Sequence, residues 1–457
     1  MKATIRAHEQ YRWYALAVIM LGTTMGTLDS SIANVAIPTI ARVYHHSLDD
    51  AEWVVLSFML VTASTLVLFG RLGDMFGQKR IYLAGFAVFG LSSLACALAP
   101  SLGLLIATRA VQALGAAMLV SSNQALIVDT FPSTERGRAI GFNGAAAAAG
   151  LSLGPIIGGA IVTFGDWRWI FMINVPVSII ALIGATLVLK HIRGENRGFD
   201  PIGALLSIVG LFCISLALSR SHIWGWDSPR TIGLLVFGVA VLVLFIFVER
   251  LVKAPTLDLN LFKIRIFAVS LLASLIYFIA LSGLIFIVPL AAQTALTYTA
   301  FAAGLLLTPI TALNVVLAPF AGSLSDRVPA RYVSTAGALM VAGGLFLLSR
   351  LPPHPTELEL IRALIITGCG TAVFSQPNNS AIMGSAPAAR RGIAAAMLAE
   401  SRTSGQLLGV AVASAVYFAS AAAHGGEFAR TFEPATDYFG FIAFVVLGVA
   451  ALSWVRE

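Results

Sequence analysis

Long apolar stretches separated by short polar connections set the pattern of this chain. A helix crossing a bilayer needs about 20 apolar residues. On that measure the pattern predicts fourteen spans, at 14–38, 53–71, 81–99, 103–126, 140–164, 168–189, 202–219, 232–249, 267–291, 300–322, 332–349, 359–383, 392–420 and 436–454. Most connections are so short that consecutive helices must be antiparallel neighbours. The longest, 190–200, 220–231 and 250–265, are too small for a soluble domain. The last mixes Leu257, Leu259, Leu261 and Phe262 with Asp258, Lys263 and Arg265, which predicts an amphipathic linker lying along the membrane face.

Two connections stand apart by composition. The loop from Gly70 to Arg80 holds Gly70, Arg71, Gly73, Asp74, Gly77 and Arg80 between two apolar runs. Glycine there lets helix ends approach closely, and a carboxylate can accept hydrogen bonds from a helix N-terminus. A shorter version, Gly322 to Arg331 with Asp326 and Arg327, follows much later in the chain. A charged loop recurring at matching places implies two related halves. The expected organisation is an all-α integral membrane protein with a six-helix bundle over 1–190, an inserted helix pair and linker over 191–265, and a second six-helix bundle over 266–457. The inserted spans 202–219 and 232–249 read as lipid-facing accessories.

Composition supports lipid as the solvent. Hydrophobic residues make up 58% of the chain and charged residues 11%, against roughly 25% charged in soluble domains. The net charge of +7 does not require nucleic acid. Of the 29 Lys and Arg, twenty fall at the termini or in loops on the N-terminal side, seven lie on the other side, and Arg109 and Arg402 lie within spans. That asymmetry places both termini in the cytoplasm. Cys96, Cys213 and Cys369 sit inside apolar runs without ligand or disulfide spacing and read as inert thiols. The first span resembles a signal peptide but is too long, holds Asp29 and precedes no cleavage pattern, so it is expected to be retained. Arginine exceeding lysine, with abundant alanine, fits a GC-rich bacterial genome.

The candidate chemistry is a handful of polar groups inside apolar spans. Asp29 lies in the first span, where an unpaired charge costs at least about 2.5–3.5 kcal/mol. It is either a proton or substrate site facing a watery path, or half of a structural ion pair. Arg109, in the fourth span, lies at a depth from which it can reach Asp29 directly or through water, and Gln112 follows near its face. The fifth span carries Gly150, Gly154 and Gly158 on one face, with Pro155 and Gly159 beside them. Such a ridge lets another helix pack backbone to backbone, and the proline permits a bend. Glu400 and Arg402 in the thirteenth span point to different faces. Glu400 reads as a second proton or cationic-substrate site, or as a partner for an arginine on another helix. Asn34, Asn143, Asn314, Gln376 and Asn378, with Gln112 and Arg402, are candidates for substrate contact. The chain has no Gly-Lys phosphate loop, no histidine pair with metal-ligand spacing in a span and no fourfold filter loop. No cofactor or metal is expected, nor an enzyme or a channel.

These motifs together resemble the major facilitator superfamily. The charged glycine loops follow corresponding spans; Arg109-Ala-Val-Gln-Ala-Leu-Gly115 resembles the family's fourth-helix motif, whose arginine is implicated in proton transfer. Gly150 to Gly159 is similar to the antiporter motif of the fifth helix. Leu28 to Pro38 and Asp166 to Pro176 resemble signatures of the fourteen-span drug:proton antiporters. The resemblance implies alternating access in a cytoplasmic membrane, with Asp29, Arg109 and Glu400 in proton coupling and the two charged loops and the Gly150–Gly159 ridge in gating. It implies a monomer exchanging protons for amphipathic drugs, antibiotics or related small molecules; the alternative is a facilitator of one metabolite with the same fold. Ser323 and Ser325 stand where the first loop has Arg71 and Gly73, so weaker gating contacts are expected from the second loop.

Overall fold

The computed structural model describes residues 10–190, 200–252, 259–296, 298, 300–424 and 432–454. Lipid offers no hydrogen bonds, so a spanning backbone must satisfy its own polar groups, and helices do so. Fourteen long helices result: α1 (Tyr11–Tyr44), α2 (Leu48–Phe76), α3 (Gln78–Ala97), α4 (Leu102–Thr130), α5 (Arg136–Phe164), α6 (Asn174–Val188), α7 (Pro201–Trp224), α8 (Pro229–Leu251), α9 (Arg265–Ala295), α10 (Thr308–Ser325), α11 (Ala330–Leu348), α12 (Glu357–Ser385), α13 (Arg391–His424) and α14 (Glu433–Trp454). No strand occurs among the described residues. Eleven of the helices are long and apolar enough to cross a membrane by length and composition.

Two expected spans are broken. A single turn, Trp169–Met172, precedes α6, and another short helix, Ala300–Leu305, precedes α10. The second break has a local cause. Pro309, in the first turn of α10, has no N–H to give the Leu305 carbonyl four residues earlier, and its ring crowds that carbonyl, so the short helix stops at Leu305 and α10 starts afresh.

The helices α1–α6 and α9–α14 form two bundles with equivalent internal packing. The helix pairs α1 with α5 and α3 with α4 are matched by α9 with α13 and α11 with α12. The halves meet where α2 packs on α13 and α5 on α10. Each half has its own core: Ile19, Phe86 and Phe89 belong to one, Leu284, Ile287 and Phe439 to the other. The inserted helices α7 and α8 pack on each other, and α7 also lies against α2 and α13. Arg220, near the end of α7, reaches Glu52 at 3.5 Å and stacks 5.0 Å from the Trp53 ring. The other face of α8 exposes Val236, Val243 and Phe247, which suits lipid. Of the expected amphipathic linker, Leu259–Lys263 forms one 3-10 turn with Leu261 buried and Phe262 exposed; 253–258 lie outside the described residues, as do 191–199.

Candidate functional site

Asp29 is fully buried and bonded on both oxygens. Arg109 Nη1 donates to Oδ2 at 2.6 Å, while Asn174 Nδ2 and Gln112 Nε2 donate to Oδ1 at 2.7 and 3.2 Å. Helices α1, α4 and α6 therefore converge on one carboxylate. The break before α6 puts Asn174 at the helix start, beside that carboxylate. Gln112 binds a third group, donating to Ser93 Oγ at 2.6 Å and accepting from Arg109 Nη1 at 2.6 Å. Arg109 also donates from Nε to the Val54 carbonyl at 3.1 Å, and its guanidinium lies 4.2 Å from the Phe58 ring centre. Its Nη2 is buried without a hydrogen-bond partner. Removing two charges from water costs several kcal/mol per ion; only close contact and filled lone pairs offset that. A proton on Asp29 would cancel the ion pair and leave Arg109 uncompensated among aromatic rings.

The two charged loops form a matched clasp between the halves. Asp74 Oδ1 and Oδ2 accept from the backbone N–H groups of Gly392 and Ile393 at 2.7 and 3.0 Å. Asp326 accepts from Gly137 and Arg138 at 2.7 and 3.0 Å. Each carboxylate thus sits at the N-terminus of a helix in the opposite half, α13 or α5, where free N–H groups and the helix dipole favour negative charge. Serine at 323 and 325 does not lengthen these bonds, because the contact is made by the Asp326 carboxylate and by backbone alone. Glycine is required at both seams: a methyl group on Gly70 would strike Ala396 and the Gly392 carbonyl, and one on Gly137 would strike Gly322 and Asp326. Gly77 ends α2 with φ 93°, a conformation side chains resist. Burial raises the Asp326 carboxyl above its usual range, against the opposing pull of its two backbone donors. Arg71 is buried, Arg80 and Arg327 are exposed, and Arg391 adds an ion pair to Asp129 across the seam.

The glycine ridge of α5 packs on α1. A side chain at Gly150, Gly154 or Gly158 would meet Thr27, Ser31 or Ile32 respectively, whereas Gly159 has open space. The second half repeats the device: Gly405 and Gly409 of α13 lie against Leu275, Phe278 and Ile279 of α9. Sequence reasoning passed over that counterpart, although the four-residue glycine spacing was there to find. It also passed over Asn174, which lies within a quoted signature but is an ordinary asparagine until α6 is packed.

The other predicted residues separate into two groups. Gln112, Asn143 and Asn378, expected as substrate contacts, are buried and bonded to neighbouring helices in this conformation. Asn143 accepts from Thr23 at 2.7 Å, and Asn378 donates to the Ser270 carbonyl at 3.0 Å. Asn314 donates to Thr371 Oγ1 at 2.5 Å and remains partly exposed. Gln376 lies against Gly144 where the halves meet. Glu400 accepts from Ser404 at 2.7 Å, and its Oε2 is buried without a partner. Arg402 makes no hydrogen bond or ion pair with a described residue and stays partly exposed. Glu400 and Arg402 do not pair. The backbones at Asn34 and Pro155 are helical, and their side chains lie outside what is described. Among the described residues no group of His, Cys, Asp and Glu could hold a metal ion.

Comparison with known proteins agrees with this architecture. The family profile of the Major Facilitator Superfamily matches residues 19–410 and, in a second match, 270–456. An uncharacterized transporter, YebQ of Escherichia coli, is 37% identical over 88% of this chain and 88% of its own. The riboflavin transporter RibZ of Clostridioides difficile is 33% identical over 91% and 90%. The multidrug resistance protein Stp of Mycobacterium tuberculosis is 33% identical over 87% and 74%. The solved structure of the proton:xylose symporter XylE superposes with a TM-score of 0.68 over 98% of this chain and 96% of that one, at 15% identity, which speaks for the fold. The chain belongs to the major facilitator superfamily, a family of multi-pass membrane transporters and not of enzymes.

Proposed function

We propose that this member of the major facilitator superfamily is a proton-driven exporter of amphipathic drugs, antibiotics or related small molecules. The observation that carries the reading is the buried Asp29–Arg109 pair, a titratable group held wholly inside one half. Burying such a pair is a poor way to gain stability, since apolar side chains of similar size do as well. A proton carrier needs it. In the cycle Asp29 takes a proton from outside, the Arg109 pair dissolves, and the packing of α1 on α4 and α6 changes. The halves rock, Asp29 is wetted from the inside, and the proton leaves. The lysine and arginine asymmetry assigns the clasped end to the cytoplasm, so the clasp closes the inner gate and leaves the outer end free to open. Glu400 is the second candidate for proton exchange.

One elementary charge moving through 100 mV is worth about 2.3 kcal/mol, enough for roughly fiftyfold accumulation. Stp supports the drug reading by relationship; RibZ supports the alternative, a transporter of one metabolite. In everted vesicles with an imposed pH gradient, Asp29→Asn should abolish coupled efflux while the protein remains folded. Wild-type efflux from that variant removes Asp29 from the mechanism. A susceptibility panel in a pump-deficient host, with and without an uncoupler, separates broad drug export from a single metabolite.

A further inference from the structure

Arg402 is the cation that the transport cycle above leaves without a task. Its direction follows from its neighbours on α13. Ser401 Oγ donates to Ser274 Oγ at 3.1 Å, and Gly405 abuts Leu275 and Phe278, so that face turns to α9. Ala399 clusters with Leu66, Phe69 and Ala117, so another face turns to α2 and α4. At about 100° per residue, Arg402 falls between Ala399 and Gly405, roughly 60° from each. It therefore faces the space between α4 of the first half and α9 of the second. Glu400 lies about 160° away around α13 and cannot neutralise it.

The side chain keeps part of its surface accessible, and no ion pair joins it to a charged group among the described residues. Gln406, one turn further along the same face, is also partly exposed, and its side-chain amide bonds to no group among the described residues. An arginine in a low-dielectric interior stays charged and demands a counter-charge. None is supplied among the described residues. A planar guanidinium offers paired N–H donors that match a carboxylate or sulfonate, and the Gln406 amide can donate to the same acid or to a neighbouring carbonyl.

We propose that Arg402 is the docking site for an acidic group on the substrate, so the exported compounds are amphipathic organic anions or zwitterions and not simple cations. The assignment rests on the transporter reading, which requires a substrate path between the halves. It deepens the substrate class without depending on proton coupling. Once bound, the acid supplies a counter-charge to Arg402. A neutral ester of the same compound leaves the guanidinium bare.

The test measures binding to the purified full-length protein in lipid nanodiscs, without any gradient. Three acids, fluorescein, pyrenebutyrate and nalidixate, are each titrated beside their methyl esters by calorimetry, with empty nanodiscs as the blank. At least one acid should bind about tenfold more tightly than its ester. Arg402→Met should bring that pair to within about twofold, and Arg402→Lys should keep part of the preference. Size-exclusion elution and helical circular dichroism identify variants that remain folded. Should Arg402→Met fail to fold, Arg402→Lys and Arg402→Gln, which keep length and polarity, carry the comparison. The proposal is overturned if no acid outbinds its ester, if none binds by about 1 mM, or if Arg402→Met keeps the preference. An unmutated protein that shows the acid preference but no pH-driven efflux refutes proton coupling and leaves this assignment standing.

Discussion

Replacing Asp74 with asparagine tests how the halves are held together. The carboxylate accepts from Gly392 and Ile393 at 2.7 and 3.0 Å and from Gln78 at 3.0 Å. Asparagine keeps one acceptor oxygen but turns an NH2 group toward a backbone donor, and it cancels the charge at the start of α13. Hydrogen bonds to charged groups are worth about 1.5–3 kcal/mol, and a charge at a helix terminus about 0.3–1 kcal/mol. Against this, the neutral amide avoids part of the carboxylate's dehydration cost. The net destabilisation of the clasped state should be near 2 kcal/mol, about thirtyfold in population. A clasped-to-open ratio of 99:1 would fall to about 3:1. Asp326 makes the same pair of contacts in the related seam, so Asp74→Asn with Asp326→Asn should open most molecules, the effects adding because the sites are separate. The measurement is the distance between spin labels at Phe76→Cys and Ala388→Cys, both exposed, with Cys96, Cys213 and Cys369 replaced by serine. An unchanged distance distribution in the double variant would refute the clasp as the element that holds this conformation.

Two further outcomes follow from the packing. Asn174→Leu removes a donor from Asp29 and puts an apolar group against a buried carboxylate, which should cost about 1–3 kcal/mol; thermal unfolding should shift down by several degrees, and an unchanged midpoint contradicts the triad of donors. Gly154→Ala forces a methyl group into Ser31 and should destabilise by about 1–3 kcal/mol, whereas Gly159→Ala meets nothing and should gain about 0.5–1 kcal/mol from helix propensity. Equal melting temperatures for these two variants would count against the observed α1–α5 contact.

Several parts of the site could be read from residue type alone. Asp29 and Arg109 announced themselves because charge inside an apolar span is costly wherever the helix goes. Asp74 did so because carboxylate, glycine and cations in a short loop have few uses apart from a helix end. Asn174 and Gln406 did not, since an amide in a span is unremarkable until its neighbours are known. The protein partners of Gln112, Asn143 and Asn378 were hidden for the same reason. An amide satisfied by a neighbouring helix and an amide facing a cavity have the same sequence.

By itself the sequence determined that lipid surrounds this chain, that fourteen long helices cross or line it, and that two halves repeat. Those conclusions rest on local quantities: apolar run length, backbone self-satisfaction and the spacing of charged loops. Only the tertiary structure decided which buried charges meet. Asp29 found three donors from two other helices, Asp74 and Asp326 found the helix ends of the opposite half, and Arg402 found no partner among the described residues. Such meetings depend on helix rotation and on which helices are neighbours, and both are set by close packing across the bundle, where glycine ridges fix the approach.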